Sequence, residues 1–223
     1  MHPASTPARS AAVPARILLI DDHAVVRTGV RRMLESRGIG RVVAEADSGE
    51  QGYAYFVESP CDLVILDLCM PGRGGLETLL RLRQRAPLLP VLVFSMHEDG
   101  VFATQALEAG ALGYVSKSAP PEELIAAVVA ALAGRRYLSA DIARHLALAA
   151  REPQQTRLDR LSPREFEIFR LLASGCTAQD IAARLKLSTK TVANYGSLIR
   201  AKLGVVSSAE LARLAIRLGV VEA

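Results

Sequence analysis

Tryptophan is absent from the 223-residue chain, and only five tyrosines and five phenylalanines supply its aromatic content. That scarcity argues against an aromatic-rich β-sandwich. Ala, Leu and Val carry most of the hydrophobic half of the composition and favour helices and buried strands. Cysteine is also sparse: Cys61, Cys69 and Cys176 are odd in number and lack metal-ligand spacing. This argues against structural disulfides and a zinc site, and for a reducing compartment. Long apolar runs are missing too. The longest, Leu124 to Ala133, falls far short of the ~20 residues of a membrane span. The Ala/Pro/Ser-rich opening is followed by a short apolar run, Ile17 to Ile20, too brief for a signal-peptide core. A soluble, cytoplasmic protein is expected, with residues 1–15 as a disordered tail.

Charge is present but unevenly placed. Arg16 to Ala140 holds 13 basic and 15 acidic residues, a net of −2, whereas Arg157 to the end holds 11 and 6, a net of +5. A near-neutral front and a basic back suggest two domains, the second facing a polyanion.

The front half alternates short apolar runs with helical patterns. Strands are expected at Arg16–Ile20, Arg41–Ala46, Leu63–Leu66, Pro90–Phe94 and Gly113–Val115. Helices are expected near His23–Arg37, Ser48–Glu58, Leu76–Arg85, Val101–Ala109 and Pro121–Ala133. Continuously apolar strands alternating with helices predict a five-stranded parallel sheet covered on both faces. Residues 134–156 hold one short helical pattern, from Ser139 to Ala150, and a polar, Pro-broken linker. From Arg157 the chain reads as all helix, with capping boxes at Ser162–Glu165 and Ser207–Glu210.

In a parallel α/β sheet the carboxyl ends of the strands share one edge, where ligands bind. Here that edge receives Asp21 and Asp22, Asp67, Ser95 and Lys117. Singly, each is an ordinary turn or cap residue. Together they are costly, because two carboxylates ~5 Å apart repel by about 3 kcal/mol at an effective dielectric of ~20. A hard cation relieves that repulsion, and oxygen-only ligation suits Mg²⁺. The set therefore points to phosphoryl chemistry. Asp21 or Asp22, Asp67 and a loop carbonyl would hold the metal, and Asp67 would be the nucleophile. Lys117 would neutralise phosphoryl oxygens, and Ser95 would donate a hydrogen bond. The turn Pro71–Gly75 would let backbone approach the site.

The stretches LLIDDHAVVRTGV, VILDLCMPGRGGLE, VLVFSMHE and GALGYVSKSAPPEEL, in this order and spacing, resemble the receiver domain of two-component response regulators across about Arg16–Ala133. The resemblance implies a flavodoxin-like fold, a phosphoryl group accepted on Asp67 from a histidine kinase, and Mg²⁺ held by Asp21, Asp22, Asp67 and the carbonyl of Cys69. It implies Lys117 as a phosphoryl ligand and Ser95 and Tyr114 as a switch pair. Many receivers follow this lysine with proline; here Ser118 follows, which leaves that peptide's geometry open.

The stretch LSPREFEIFRLLASGCTAQDIAARLKLSTKTVANYGSLIRAKLGV, across about Leu161–Val220 of the expected domain 157–223, resembles the LuxR-type helix-turn-helix, the output domain of the NarL/FixJ class. A four-helix domain is expected. Val192, Tyr195, Ile199 and Leu203 would form the buried stripe of the recognition helix. The opposite face would carry Lys190, Ala193, Asn194, Ser197 and Arg200 toward a major groove, with Lys202 among the phosphate contacts. By the likeness, Ala193, Asn194 and Ser197 hold base-contacting positions. Leu211, Leu214, Ala215 and Leu218 would form either a dimer surface or packing within the domain.

The implied function is a DNA-binding response regulator, not an enzyme beyond self-catalysed phosphoryl acceptance, which forms a homodimer on double-stranded DNA when active. Two rivals stand beside it. One is an aspartyl-phosphate hydrolase, which would place a second acid where Cys69 stands. The other is a constitutive DNA binder whose receiver serves only for dimerisation.

Overall fold

The computed structural model describes residues 14–70, 74–98, 100–149, 158 and 160–221. Residues 1–13 of the expected tail, the linker segment 151–157 and Pro71–Arg73 of the turn lie outside them; Ala15, expected in the tail, instead opens the first strand, where it pairs with Gly40.

The front half alternates β1 (Ala15–Ile20), α1 (Ala24–Ser36), β2 (Gly40–Ala46), α2 (Gly49–Glu58), β3 (Leu63–Leu66), α3 (Gly75–Arg85), β4 (Val91–Ser95), α4 (Gly100–Glu108), β5 (Gly113–Ser116) and α5 (Pro121–Leu132). The sheet is wholly parallel, in the order β2-β1-β3-β4-β5-β6. Its sixth strand corrects the expected five: β6 (Tyr137–Leu138) pairs with β5. A Cβ on Gly113 would lie 2.5 Å from the Tyr137 carbonyl oxygen, so the bare Cα of Gly113 permits this close approach. What reads as linker therefore begins as an edge of the sheet.

Side chains alternate between two cores. Ile17, Leu19, Ile65, Leu92 and Val115 pack against α1 and α5 through Val30, Leu34, Leu124 and Val128. Leu18, Ile20, Val64, Leu66, Val91, Val93 and Tyr114 face the other way, and that core continues into the rear helices. Burial on both faces explains why β3 reads as an unbroken apolar run.

After β6 comes α6 (Ala140–Ala149), packed on α4 and β5. Its His145 Nδ1–H donates to the Glu98 carbonyl. The rear segment holds α7 (Pro163–Ala173), α8 (Ala178–Leu185), α9 (Thr189–Leu203) and α10 (Ser208–Arg217). Both expected N-cap serines act as caps: Ser162 accepts from the Glu165 N–H in a capping box, and Ser207 accepts from the Glu210 N–H. Val192, Ile199 and Leu203 are buried, and Tyr195 is half-buried. Leu211, Leu214 and Ala215 are buried within this bundle, so they pack internally and are not exposed for a partner.

Helix α7 docks on α3 and α4 of the front half. The Phe166 and Phe102 rings form a T-shaped pair, with centroids 5.3 Å apart and planes at 88°. Arg164 pairs with Glu77, and Gln105 Nε2 donates to the Leu161 carbonyl at 3.2 Å.

Candidate functional site

The register of β1 on β3 pairs Ile20 with Leu66, so the next residues, Asp21 and Asp67, emerge side by side. The chain reverses strand order here, with β2 on one side of β1 and β3 on the other, which opens a crevice at the carboxyl edge. Asp67 is 1% exposed, and both its oxygens are engaged. Oδ1 accepts the Cys69 backbone N–H at 2.9 Å, and Oδ2 lies 2.7 Å from the Lys117 ammonium. The same ammonium lies 2.7 Å from Asp21 Oδ2. Burial alone would lower the Lys117 pKa; the hydrogen bonds it donates to Asp21 and Asp67 outweigh that and raise the ammonium above its ordinary value. Burial pushes the Cys69 thiol up, against its contact with Ser95.

Gly75, at the end of the turn, has a packing reason. A Cβ on Gly75 would lie 2.0 Å from the Asp67 carbonyl oxygen and 2.6 Å from Leu68 Cα. Only glycine lets the start of α3 sit directly against the strand that carries Asp67.

Ser95 is buried, its hydroxyl 3.5 Å from both Cys69 Sγ and the His97 N–H. Tyr114 is 0% exposed, already turned inward, and its hydroxyl donates to the His97 carbonyl at 2.8 Å. The His97 ring stacks on Phe102, centroids 3.8 Å apart, which continues to Phe166. Ser118, standing where proline is common, points its hydroxyl at the Glu98 carboxylate, which also takes Ser116. All peptides among the described residues are trans. Nothing in the sequence marked Glu98 or His97, because each acts through loop contacts rather than a periodic pattern.

Whether the acids suit a cation can be read from Asp22. Its Oδ1 is buried without a well-directed hydrogen-bond donor, although His23 Nδ1 lies 2.9 Å away. An orphaned carboxylate oxygen beside two further acids fits a hard divalent ion. Ligand atoms of Asp21, Asp22, His23 and Asp67 all lie within 4.8 Å of one another.

On α9, Lys190, Ala193, Asn194 and Ser197 are exposed on one face. Arg200 is half-buried and donates to the Ser197 hydroxyl at 3.3 Å. Lys202 departs from the set. Its ammonium holds Glu165 of α7, at 2.8 and 2.7 Å from the two carboxylate oxygens, and so braces the bundle. Burial would raise the Glu165 carboxyl, but Lys202 and the Ser162 cap outweigh it and hold it below the usual carboxylate range. The structure adds Leu198, 46% exposed beside Asn194. The receiver half leaves the outward face of α9 uncovered.

The fold and the acid pocket together define a receiver-type module joined to a helix-turn-helix module. Residues 17–129 match the response regulator receiver domain family, and residues 159–215 match the bacterial regulatory proteins of the luxR family. The chain belongs to the response regulators of the NarL/FixJ class. It is 44% identical to the transcriptional activator protein ExaE of Pseudomonas putida, over 92% of this chain and 97% of that one. It is 41% identical to the response regulator GacA of Pseudomonas aeruginosa, over 93% and 98%. Among solved structures, RcsB of Salmonella enterica serovar Typhimurium, bound to promoter P1flhDC with phosphomimetic BeF3-, superposes with a TM-score of 0.71 at 27% identity, covering 93% of this chain and 100% of that one.

Proposed function

We propose that this protein is a phosphorylation-dependent transcription regulator whose Asp67 accepts a phosphoryl group from a histidine kinase. The observation that carries the reading is Asp67 itself. It is a buried carboxylate at the switch point of the sheet, flanked by Asp21 and held by the Lys117 ammonium and the Cys69 N–H. An Asp67 oxygen attacks phosphorus, the bond to the kinase histidine breaks, and an acyl phosphate remains. Asp21, Asp22, Asp67 and the Cys69 carbonyl are the groups that would hold Mg²⁺. When bound, that ion neutralises charge on the transferring oxygens. Lys117 releases a carboxylate to meet the phosphoryl group, and the Ser95 hydroxyl moves toward it. A groove of about 400 Å³ between α1 and α5, reaching Lys117, gives the kinase a route to the site.

Movement of Ser95 alters the packing around Tyr114. From there the contacts run through the His97 carbonyl and ring to Phe102 and to Phe166 of the output domain. The outward face of α9 is not shielded by the receiver, so phosphorylation would act on how α7 is docked and how two copies pair on DNA. Lys190 and Arg200 suit phosphates, and Ala193, Asn194 and Ser197 suit base edges. Among the described residues no helix is long and apolar enough to cross a membrane. We assign the protein to the cytoplasm, where its DNA target lies.

Selection of bound DNA from a random pool, with and without beryllofluoride, tests this reading. Tighter binding by the loaded wild type, and no gain for Asp67→Asn, is expected. Equal affinity in both states would favour the constitutive binder.

A further inference from the structure

Lys117 reaches the acid pocket from the loop after β5, and a serine stands on each side of it. Its ammonium spans Asp21 and Asp67 at 2.7 Å each, and its backbone N–H donates to the Ser95 carbonyl at 2.8 Å. From there no proline ring stiffens the loop until Pro120, and a serine φ is free where a proline φ is fixed. The hydroxyls of Ser116 and Ser118 both donate to one oxygen, Oε1 of Glu98, on the loop after β4. Ser116 Oγ lies 3.0 Å from it and also accepts the Ser118 N–H at 3.1 Å. The Ser116 side chain is buried, and its own N–H donates to Ser139 Oγ at 3.3 Å, at the head of α6. Glu98 is anchored from the same helix, where His145 donates to its carbonyl.

We propose that Glu98 is a positioning residue for phosphoryl acceptance: it grips the residues on both sides of Lys117 and so fixes where the ammonium stands when it meets the phosphoryl group. The inference rests on the reading of Asp67 as phosphoryl acceptor given above. In the resting pocket Asp21 and Asp67 steady the ammonium. Once phosphoryl oxygens take the place of Asp67, one of those supports is gone. A lysine carries its charge on a flexible stem, so the backbone that bears it must supply the lost precision. Two hydroxyls on one carboxylate do so strongly, because hydrogen bonds to an ionised acceptor are about twice as strong as neutral ones. Misplacing a reacting group by ~1 Å costs about a hundredfold in rate. Loosening one anchor of a loop that has several should cost about tenfold.

The test measures the rate at which acetyl phosphate labels the full chain, by intact-protein mass spectrometry, across a series of Mg²⁺ concentrations. In that reaction an Asp67 oxygen attacks phosphorus, the bond from phosphorus to the acetyl oxygen breaks, and acetate leaves. Glu98→Ala is expected to label about tenfold more slowly at saturating Mg²⁺, with the half-saturating Mg²⁺ concentration within about twofold of wild type. Glu98→Gln keeps a carbonyl oxygen for both hydroxyls and should recover most of the rate. Ser118 is exposed, so Ser118→Ala spares the fold, and loss of its one bond should slow labelling about threefold. Wild-type rates for Glu98→Ala overturn the assignment. So does a Glu98→Gln rate as low as that of Glu98→Ala, or a loss that excess Mg²⁺ restores. If Glu98→Ala does not fold, a wild-type rate for Ser118→Ala overturns it alone. Each of these outcomes leaves Asp67 as acceptor; a wild type that takes no label overturns that reading and this inference together.

Discussion

Truncating Phe102 to alanine isolates the contact between the two halves of the molecule. The ring is 5% exposed; His97, from its own domain, stacks on it, and Phe166, from the other, meets it with planes at 88°. The His97 stack can persist when the domains separate; the Phe166 contact cannot. An edge-on aromatic pair contributes about 1 kcal/mol beyond the area it covers. Apolar area shared with Phe166 adds a comparable amount at about 25 cal/mol per Å². Docking should weaken by about 1–2 kcal/mol, which is a factor of roughly 5–30 in the open-to-docked ratio. Amide hydrogen exchange along α7, compared with exchange in β3 and β4, measures this directly. Phe102→Ala should accelerate exchange in α7 by that factor while the central strands keep their protection. Unchanged α7 protection in a folded variant would refute the idea that this ring holds the output domain. A uniform loss across the sheet would instead mean that Phe102 serves the receiver core alone.

Gly75→Ala should destabilise the receiver by about 3 kcal/mol in urea unfolding, because its Cβ would meet backbone atoms of Asp67 and Leu68. Gly196 lies inside α9, where an added Cβ would meet Arg200 at 3.5 Å and Leu172 at 3.7 Å, ordinary contact distances. Gly196→Ala should therefore stabilise the output domain by about 1 kcal/mol in thermal unfolding. Glu165 is held low in the folded state, so its ion pair with Lys202 stabilises above the ordinary glutamate range. That contribution is lost as pH falls through the folded value. The Tm gap between wild type and Glu165→Gln should accordingly shrink as pH is lowered from neutral to below about 4; a gap that stays constant would remove Lys202 as the cause.

Much of the architecture was legible because its signals are local and periodic. Apolar runs such as Leu63–Leu66, bounded by polar turns, occur where strands are buried on both faces, and Gly38, Gly110 and Gly134 end helices with positive φ. The approach of Asp21 to Asp67 followed from parallel topology, which brings strand ends to one edge. What escaped was carried by contacts between distant residues. β6 is two residues long and owes its place to the missing side chain of Gly113. Glu77 and Arg164 are unremarkable charges until α7 is docked. Lys202 falls near the cationic face of its helix by sequence, yet its ammonium is drawn to the buried carboxylate of Glu165.

The central claim is that Asp67 is the phosphoryl acceptor. Intact-protein mass spectrometry after incubation with acetyl phosphate and Mg²⁺ measures it most directly, with hydroxylamine to distinguish an acyl phosphate from a phosphoester. One hydroxylamine-labile phosphoryl adduct on the wild type, and none on Asp67→Asn, is the predicted result. Equal labelling of the Asp67→Asn protein would contradict the account.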